Sequence, residues 1–419
     1  MPSPAPFLPR FLTFLAAIFS VSAAHLTARA EDPELQIIHS LPAWVLQNDT
    51  VSLAVTQTGG HIAPATFNRN SPTPIQPYYV SPWQDEPRQQ PFPAPVLKAL
   101  RGDFFCLPFG GNNLAVNGES HPPHGEIAGM EWKSAGLQRS GAVTSLTLTA
   151  DTQVRRGRVT KTLLLKNGHN VIYSTHVISG FAGAAPLGHH ATLAMPAEPG
   201  SVRIATSPLK SGMTCPGIFS DPKNREYQRL LPGQRWSSLN AVPQAWKDSP
   251  DADLTRLPGP VGYADLVQIF PATPASGQPA WVTATFQKAG YLWFSMKDPA
   301  VLNSTVFWME HRGRHGFPWN GRNNCLGLED VTAFFAEGLK ASVEPNELTK
   351  QGIATAVLLK QDQPTAVHYL QGAVSIPQDF DAVAAVDFAD AKVVFRAVSG
   401  ASVVVPVDYQ FVLTGKLPD

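Results

Sequence analysis

Charge is scarce in this sequence. Only 15% of its 419 residues are Asp, Glu, Lys or Arg, and bases and acids balance at 32 each. No basic excess is available for a nucleic-acid partner, and nothing calls for a strongly anionic substrate. Cysteine is nearly absent. Cys106, Cys215 and Cys325 are an odd set with no CxxC spacing. One bridge is possible, with partners the sequence does not give, and small buried hydrophobes are the better reading for Cys106 and Cys325 in their apolar surroundings. Long helical patterns are missing, and so is any repeat of solenoid or propeller period. After residue 30 no apolar run is long enough to cross a bilayer, so no membrane span is expected there.

What is present is turn chemistry and extended chain. The sequence holds 39 prolines and 32 glycines among 43% hydrophobic residues, which suits an all-β protein with a large core. Strand-like runs recur: Thr50 to Gln57, Ala142 to Ala150, Asp265 to Phe270, Trp281 to Gln287, Tyr291 to Met296 and Ser304 to Glu310. "VTKTLLLK", the turn "NGHN" and "VIYSTHVIS" (Val159 to Ser179) read as a hairpin. One short helix is expected, about Val331 to Leu339, with Asp330 as its cap. Ser71 to Pro95 reads as a long ordered loop on a binding face, because it carries Tyr78, Tyr79, Trp83 and Phe92. Ser237 to Gly262 is a second irregular stretch.

The N-terminus has the form of a secretory signal: Arg10, the apolar run Phe11 to Ala24, and "ARA" before Glu31. Residues 1–30 are expected to be a signal peptide and the protein to be exported, periplasmic or secreted; an uncleaved anchor is the alternative. The rest, 31–419, is expected to form one large two-sheet β-sandwich. Its core lies at about 50–340, with a strand-rich C-terminal extension over 341–419.

Candidate chemistry lies in two histidine clusters and one acid. His121 and His124 flank Pro122-Pro123, and His189 and His190 are adjacent. The proline pair forbids a helical HxxH geometry, and neighbouring histidines on a strand face opposite ways, so no metal is expected. Glu329 in "NNCLGLEDVTAFF" ends a strand-like run beside aromatics, where partial desolvation would raise its pKa toward that of a useful base.

"LRGDFFCLPFGGN" followed by "HPPHGEIAGMEW" (Leu100 to Trp132) resembles the aldose 1-epimerase, or galactose mutarotase-like, superfamily, most closely its glucose-6-phosphate 1-epimerase branch. The markers are Arg101-Gly102, Cys106-Leu107-Pro108, His124-Gly125 and Trp132. "TGGHIAPATF", "HHATLAMP" and "CLGLEDVTAF" follow the family order around them. The resemblance implies a galactose mutarotase-like β-supersandwich that interconverts sugar anomers without a cofactor. It assigns Glu329 as base, His190 as acid, His124 as an orienting group and Arg101 as a ligand for substrate hydroxyls. Trp83 and Trp308 would stack on the sugar, and Trp132 would pack in the core. His121 would be structural or at the rim.

This chain departs from the phosphate-sugar branch. Ala128 stands where an arginine is usual, Glu126 where a phenylalanine is, and Glu329-Asp330 replaces a glutamate-proline pair. These departures point to a neutral mono- or oligosaccharide. The family's middle aspartate has only Asp221 and Asp248 as candidates. A carbohydrate-binding protein without turnover, on the same fold, is the second reading. The sequence does not fix the oligomeric state.

Overall fold

A computed structural model describes residues 1–5, 31–87 and 90–418. Most of the expected signal peptide, residues 6–30, lies outside them. No helix among the described residues is long and apolar enough to cross a membrane.

Two large antiparallel sheets dominate. The nine-stranded sheet runs Arg256–Leu257, Val202–Thr206, Ala280–Phe286, Tyr291–Lys297, Thr365–Ser375, Val171–Ser179, Gly157–Lys166, Val143–Thr152, Lys133–Ser140. The eight-stranded sheet runs Arg235–Trp236, Leu209–Thr214, Tyr263–Pro271, Ser304–His311, Asn324–Thr332, Leu187–His189, Phe105–Cys106, and Ala191–Ala194 also pairs with Asn324–Thr332. The sequence dictates which strands are central. Val143–Thr152 alternates strictly between partly exposed and buried positions, as a strand with one wet face does. Ala280–Phe286 and Ser304–His311 are buried at every position, because both of their faces are covered.

The inner faces share one apolar core that includes Phe307 and Leu328 from one sheet and Leu163, Ile172 and Trp293 from the other. A polar layer crosses it. Asp330 of the smaller sheet meets Lys297, Ser295 and Tyr369 of the larger one, and Gln371 reaches Asp103 at 3.0 Å.

The strand runs fall where expected, and Gly157–Lys166 with Val171–Ser179 forms the anticipated hairpin. Two expectations need correction. Val331 and Thr332 continue the Asn324–Thr332 strand, and the short helix comes later, at Leu339–Val343. Asp330 is no helix cap, because its carboxylate is buried against Lys297. Nor is the chain beyond 340 only an extension: Thr365–Ser375 sits between Tyr291–Lys297 and Val171–Ser179 inside the nine-stranded sheet. The last three strands, Val383–Ala389, Lys392–Ala397 and Ser402–Pro406, do form a sheet of their own. All three cysteines are free and buried.

Candidate active site

The outward face of the eight-stranded sheet collects the chemistry. Alternation along Asn324–Thr332 puts Leu328 and Asp330 inside and Glu329 on the opposite face, where it lines a cavity. Ala191–Ala194 runs beside it with Ala191 opposite Leu328, so His190, one residue earlier, comes opposite Glu329. His190 Nε2 lies 3.3 Å from Glu329 Oε1. His189 turns the other way and pairs with Asp103 at 2.9 Å in the interior.

The His190 ring is held on several sides. Its backbone N–H donates to the Phe104 carbonyl at 2.9 Å, and Nδ1 lies 3.2 Å from the Thr192 hydroxyl. The ring stacks on Phe104, with centroids 4.5 Å apart and planes at 18°. His124 approaches it edge-on at 4.9 Å. The His124 backbone takes φ 61°, and Gly125 follows at φ 81°. A Cβ on Gly125 would stand 1.9 Å from the Leu107 carbonyl oxygen, so the turn requires glycine there. His121 is structural: it pairs with Glu119 at 3.0 Å, which Arg155 also holds. Trp132 is a core residue whose Nε1 donates to the Ile127 carbonyl at 2.9 Å.

Burial sets the resting protonation. It pushes Glu329 well above the usual carboxylate range, against an opposing pull from Arg314. Burial, then the nearby His124, pulls His190 well below the ordinary imidazole value. Both shifts favour the uncharged forms, a carboxylic acid facing a neutral imidazole. His124 is lowered by burial, and next by Arg314, to about 4. A neutral His124 stabilises the fold fully above its unfolded value of 6.5, and this is lost as pH falls toward about 4. The stability gap between the protein and its His124→Gln variant is expected to shrink by about 1.4 kcal/mol per pH unit across that window. Urea unfolding at pH 7, 6, 5 and 4 reads this slope, and a flat difference would reject a buried neutral imidazole.

Glu329 folds back over Gly327, where an added Cβ would lie 2.5 Å from Glu329 Oε1 and 3.1 Å from Trp308 Cβ. Gly327→Ala is expected to shift the carboxylate while leaving the strand pairing intact. A misplacement of about 1 Å can cost about 10²-fold in rate. The check is turnover beside a thermal melt, with loss of the first and little change in the second.

The cavity measures about 200 Å³. His124, His190, Glu329 and Arg314 are its ionisable lining, and Trp308, Trp319, Phe219 and Leu97 are among its apolar walls. It is smaller than the roughly 300–1,000 Å³ of pockets for drug-sized ligands, and so suits one small ring.

Two expected ligands are elsewhere. Arg101 is 1% exposed and does not line the cavity. Its guanidinium donates to the carbonyls of Ile38, His39 and Ala99 and to Gln84 Oε1. An arginine so deeply buried needs acceptors, and the chain supplies them for four of its five N–H groups, away from the cavity. Trp83 is also buried. Its Nε1 donates to the Leu97 carbonyl at 2.8 Å, and its ring meets Trp319 edge-on at 5.1 Å. It buttresses Trp319 and leaves the contact with a ligand to that residue. Asp221 caps a short turn by accepting from Lys223 N, Asp248 is exposed, and neither lines the cavity. Arg314, Trp319 and Phe219 went unnoticed in the sequence. The signal was an arginine and aromatics in "HRGRHGFPWNGR", an irregular loop directly after the Trp308 strand.

No protein-family model matches the chain, and no curated protein matches it in sequence. Solved structures do. A protein from Klebsiella pneumoniae provisionally assigned as an aldose 1-epimerase aligns with TM-score 0.57 and 9% identity, over 81% of this chain and 83% of that one. A galactose mutarotase-like protein from Clostridium acetobutylicum aligns with TM-score 0.54 and 10% identity, over 82% and 99%. A provisionally assigned mutarotase from Salmonella typhimurium gives 0.52 and 10%, over 84% and 97%. At such identities the likeness is one of fold: this chain has a galactose mutarotase-like β-sandwich fold.

Proposed function

We propose that this is an exported, mutarotase-like enzyme that interconverts the anomers of an aldose, either a monosaccharide or the reducing end of an oligosaccharide. The observation that carries the reading is the buried His190–Glu329 pair, 3.3 Å apart and lining a cavity sized for one ring. Anomer exchange needs one proton taken from the C1 hydroxyl and one given to the ring oxygen as the C1–O5 bond breaks. The open aldehyde then rotates about C1–C2, and the two transfers reverse on its other face. The pair carries one proton between its two groups. From the resting state Glu329 gives its proton to the ring oxygen and His190 accepts the hydroxyl proton. Reclosure proceeds from the opposite forms, with Glu329 as base at the ring oxygen and His190 as acid at C1–O, whereas the resemblance assigns Glu329 as base and His190 as acid for ring opening. His124, edge-on to His190, is an orienting group. Trp308 and Trp319 provide flat walls for the apolar face of the ring.

A glycan-binding role without turnover is the second reading. The withdrawal of Arg101 and the lack of an aspartate among the described residues that line the cavity favour it. Exchange spectroscopy by NMR on a panel of free aldoses separates the two. Accelerated α/β exchange supports the enzyme, whereas saturation transfer to a sugar without acceleration supports the binder.

A further inference from the structure

Arg314 is the unexplained group in this cavity. Its guanidinium lies over three aromatic rings, at 5.0 Å from Phe219, 5.2 Å from Trp319 and 5.7 Å from Trp308. These faces orient the planar fork but accept none of its N–H groups in an ordinary hydrogen bond. Among the described residues no acceptor lies within hydrogen-bond reach of its side chain. Its one ion pair, to Glu310 Oε2, is long at 3.7 Å. Glu310 is a weak counter-charge. Its Oε1 accepts from the backbone N–H groups of Gly313 and Arg314, its Oε2 has no hydrogen-bond partner, and burial pushes its pKa to about 7. Glu329, the carboxyl that lines the cavity, is pushed toward its uncharged form by burial. Glu226 is occupied with the His315 backbone N–H at 2.9 Å. Beside the arginine, Trp308 is 6% exposed and lends the cavity an apolar wall, while its Nε1–H is buried without a partner among the described residues.

The cavity thus presents the spare donors of Arg314, one poorly neutralised positive charge and mostly apolar walls. The hydroxyls of a neutral aldose each bring a donor as well as an acceptor, and this cavity has few acceptors to meet them. A carboxylate brings only acceptors, carries the opposite charge, and fits the planar fork of an arginine in two parallel hydrogen bonds. A phosphate dianion would need more than one cation to offset the loss of its hydration in so apolar a site. We infer that the sugar bound here carries a carboxylate, as a hexuronate does, and that Arg314 recognises it. This rests on the sugar site proposed above and replaces the neutral ring expected from sequence.

The test is calorimetric binding to the full-length mature protein of three matched pairs: glucuronate with glucose, galacturonate with galactose, and mannuronate with mannose. Glucose 6-phosphate is included as the phosphate arm. At least one uronate is expected to bind ten or more times tighter than its neutral partner. Arg314→Gln is expected to bring that ratio below threefold, and Arg314→Lys, which keeps the charge but not the fork, to leave an intermediate ratio. Thermal melts of both variants verify that they fold. Equal affinity within every pair, no binding of any uronate, tighter binding of the phosphate, or a ratio unchanged in the folded glutamine variant each overturns the inference. Binding is measured on equilibrated anomers, so it does not depend on turnover. A failure of anomer exchange sinks the enzyme reading and leaves the charge preference standing. A preference for neutral rings does the reverse.

Discussion

Glu329→Gln is expected to slow anomer exchange by about 10²–10⁴-fold, the usual share of one general acid–base group, with the fold intact. Glutamine has the shape of the protonated carboxyl that burial already enforces at this position. The variant therefore removes the transferable proton without leaving a hole or an unpaired charge. Little change in thermal midpoint is expected, and a slight gain would agree with the same argument, because an ionisable group has been taken out of an apolar wall. His190→Gln is expected to cost a similar factor, since the two groups exchange one proton across 3.3 Å. The double variant is expected to be hardly worse than either single one, because residues that act as a unit are far from additive. NMR exchange spectroscopy on a sugar accelerated by the wild type measures all three. Full activity in the glutamine variant would remove Glu329 from the chemistry, and strictly multiplicative losses would mean that the two groups do not share a proton.

The resemblance picked out this pair, and extended chain explains its geometry: Glu329 lies on a strand and His190 directly between two short ones. Period-two alternation lets only one of His189 and His190 face outward, and register then sets what lies opposite. The same rule separates Glu329 from Asp330, two neighbouring acids with opposite surroundings. It could not say which way Arg101 points. That depends on the carbonyls of Ile38 and His39, roughly sixty residues earlier in the chain, which surround the guanidinium. Arg314 was illegible for the converse reason: it lies on an irregular loop, where no periodicity ties a side chain to a face. Its place in the cavity follows from three aromatic contacts, one of them to Phe219, far outside its own strand and loop. The misplaced helix has a similar origin. The run from Val331 to Leu339 is apolar because Val331, Ala333 and Phe335 are packed in the interior, and Asp330 resembles a helix cap only while its partner Lys297 is out of view.

Asp330→Ala is expected to be the most destabilising of these substitutions, by about 3–5 kcal/mol, because it leaves a buried ammonium without its counter-charge. Asp330 is fully buried. Its Oδ1 accepts from Lys297 Nζ at 2.6 Å and from Thr305 Oγ1 at 2.7 Å, and its Oδ2 accepts from Ser295 Oγ at 2.7 Å and the Tyr369 hydroxyl at 3.1 Å. The four donors come from both sheets, so the carboxylate ties the layers together at one point. Stability of a whole domain is commonly about 5–15 kcal/mol, so a loss of this size removes much of the margin. The mechanism predicts a specific rescue. Asp330→Leu combined with Lys297→Met removes both charges, and it is expected to recover part of the loss in urea unfolding, although Ser295 and Tyr369 then lose their acceptor. If the double variant is no more stable than Asp330→Ala, the cost lies in the hydroxyl hydrogen bonds and not in the stranded charge. In either case the effect reaches the candidate site through one peptide bond. Asp330 anchors the strand that carries Glu329 on its other face, so loosening the inner carboxylate is expected to slow exchange even in the fraction of molecules that remains folded.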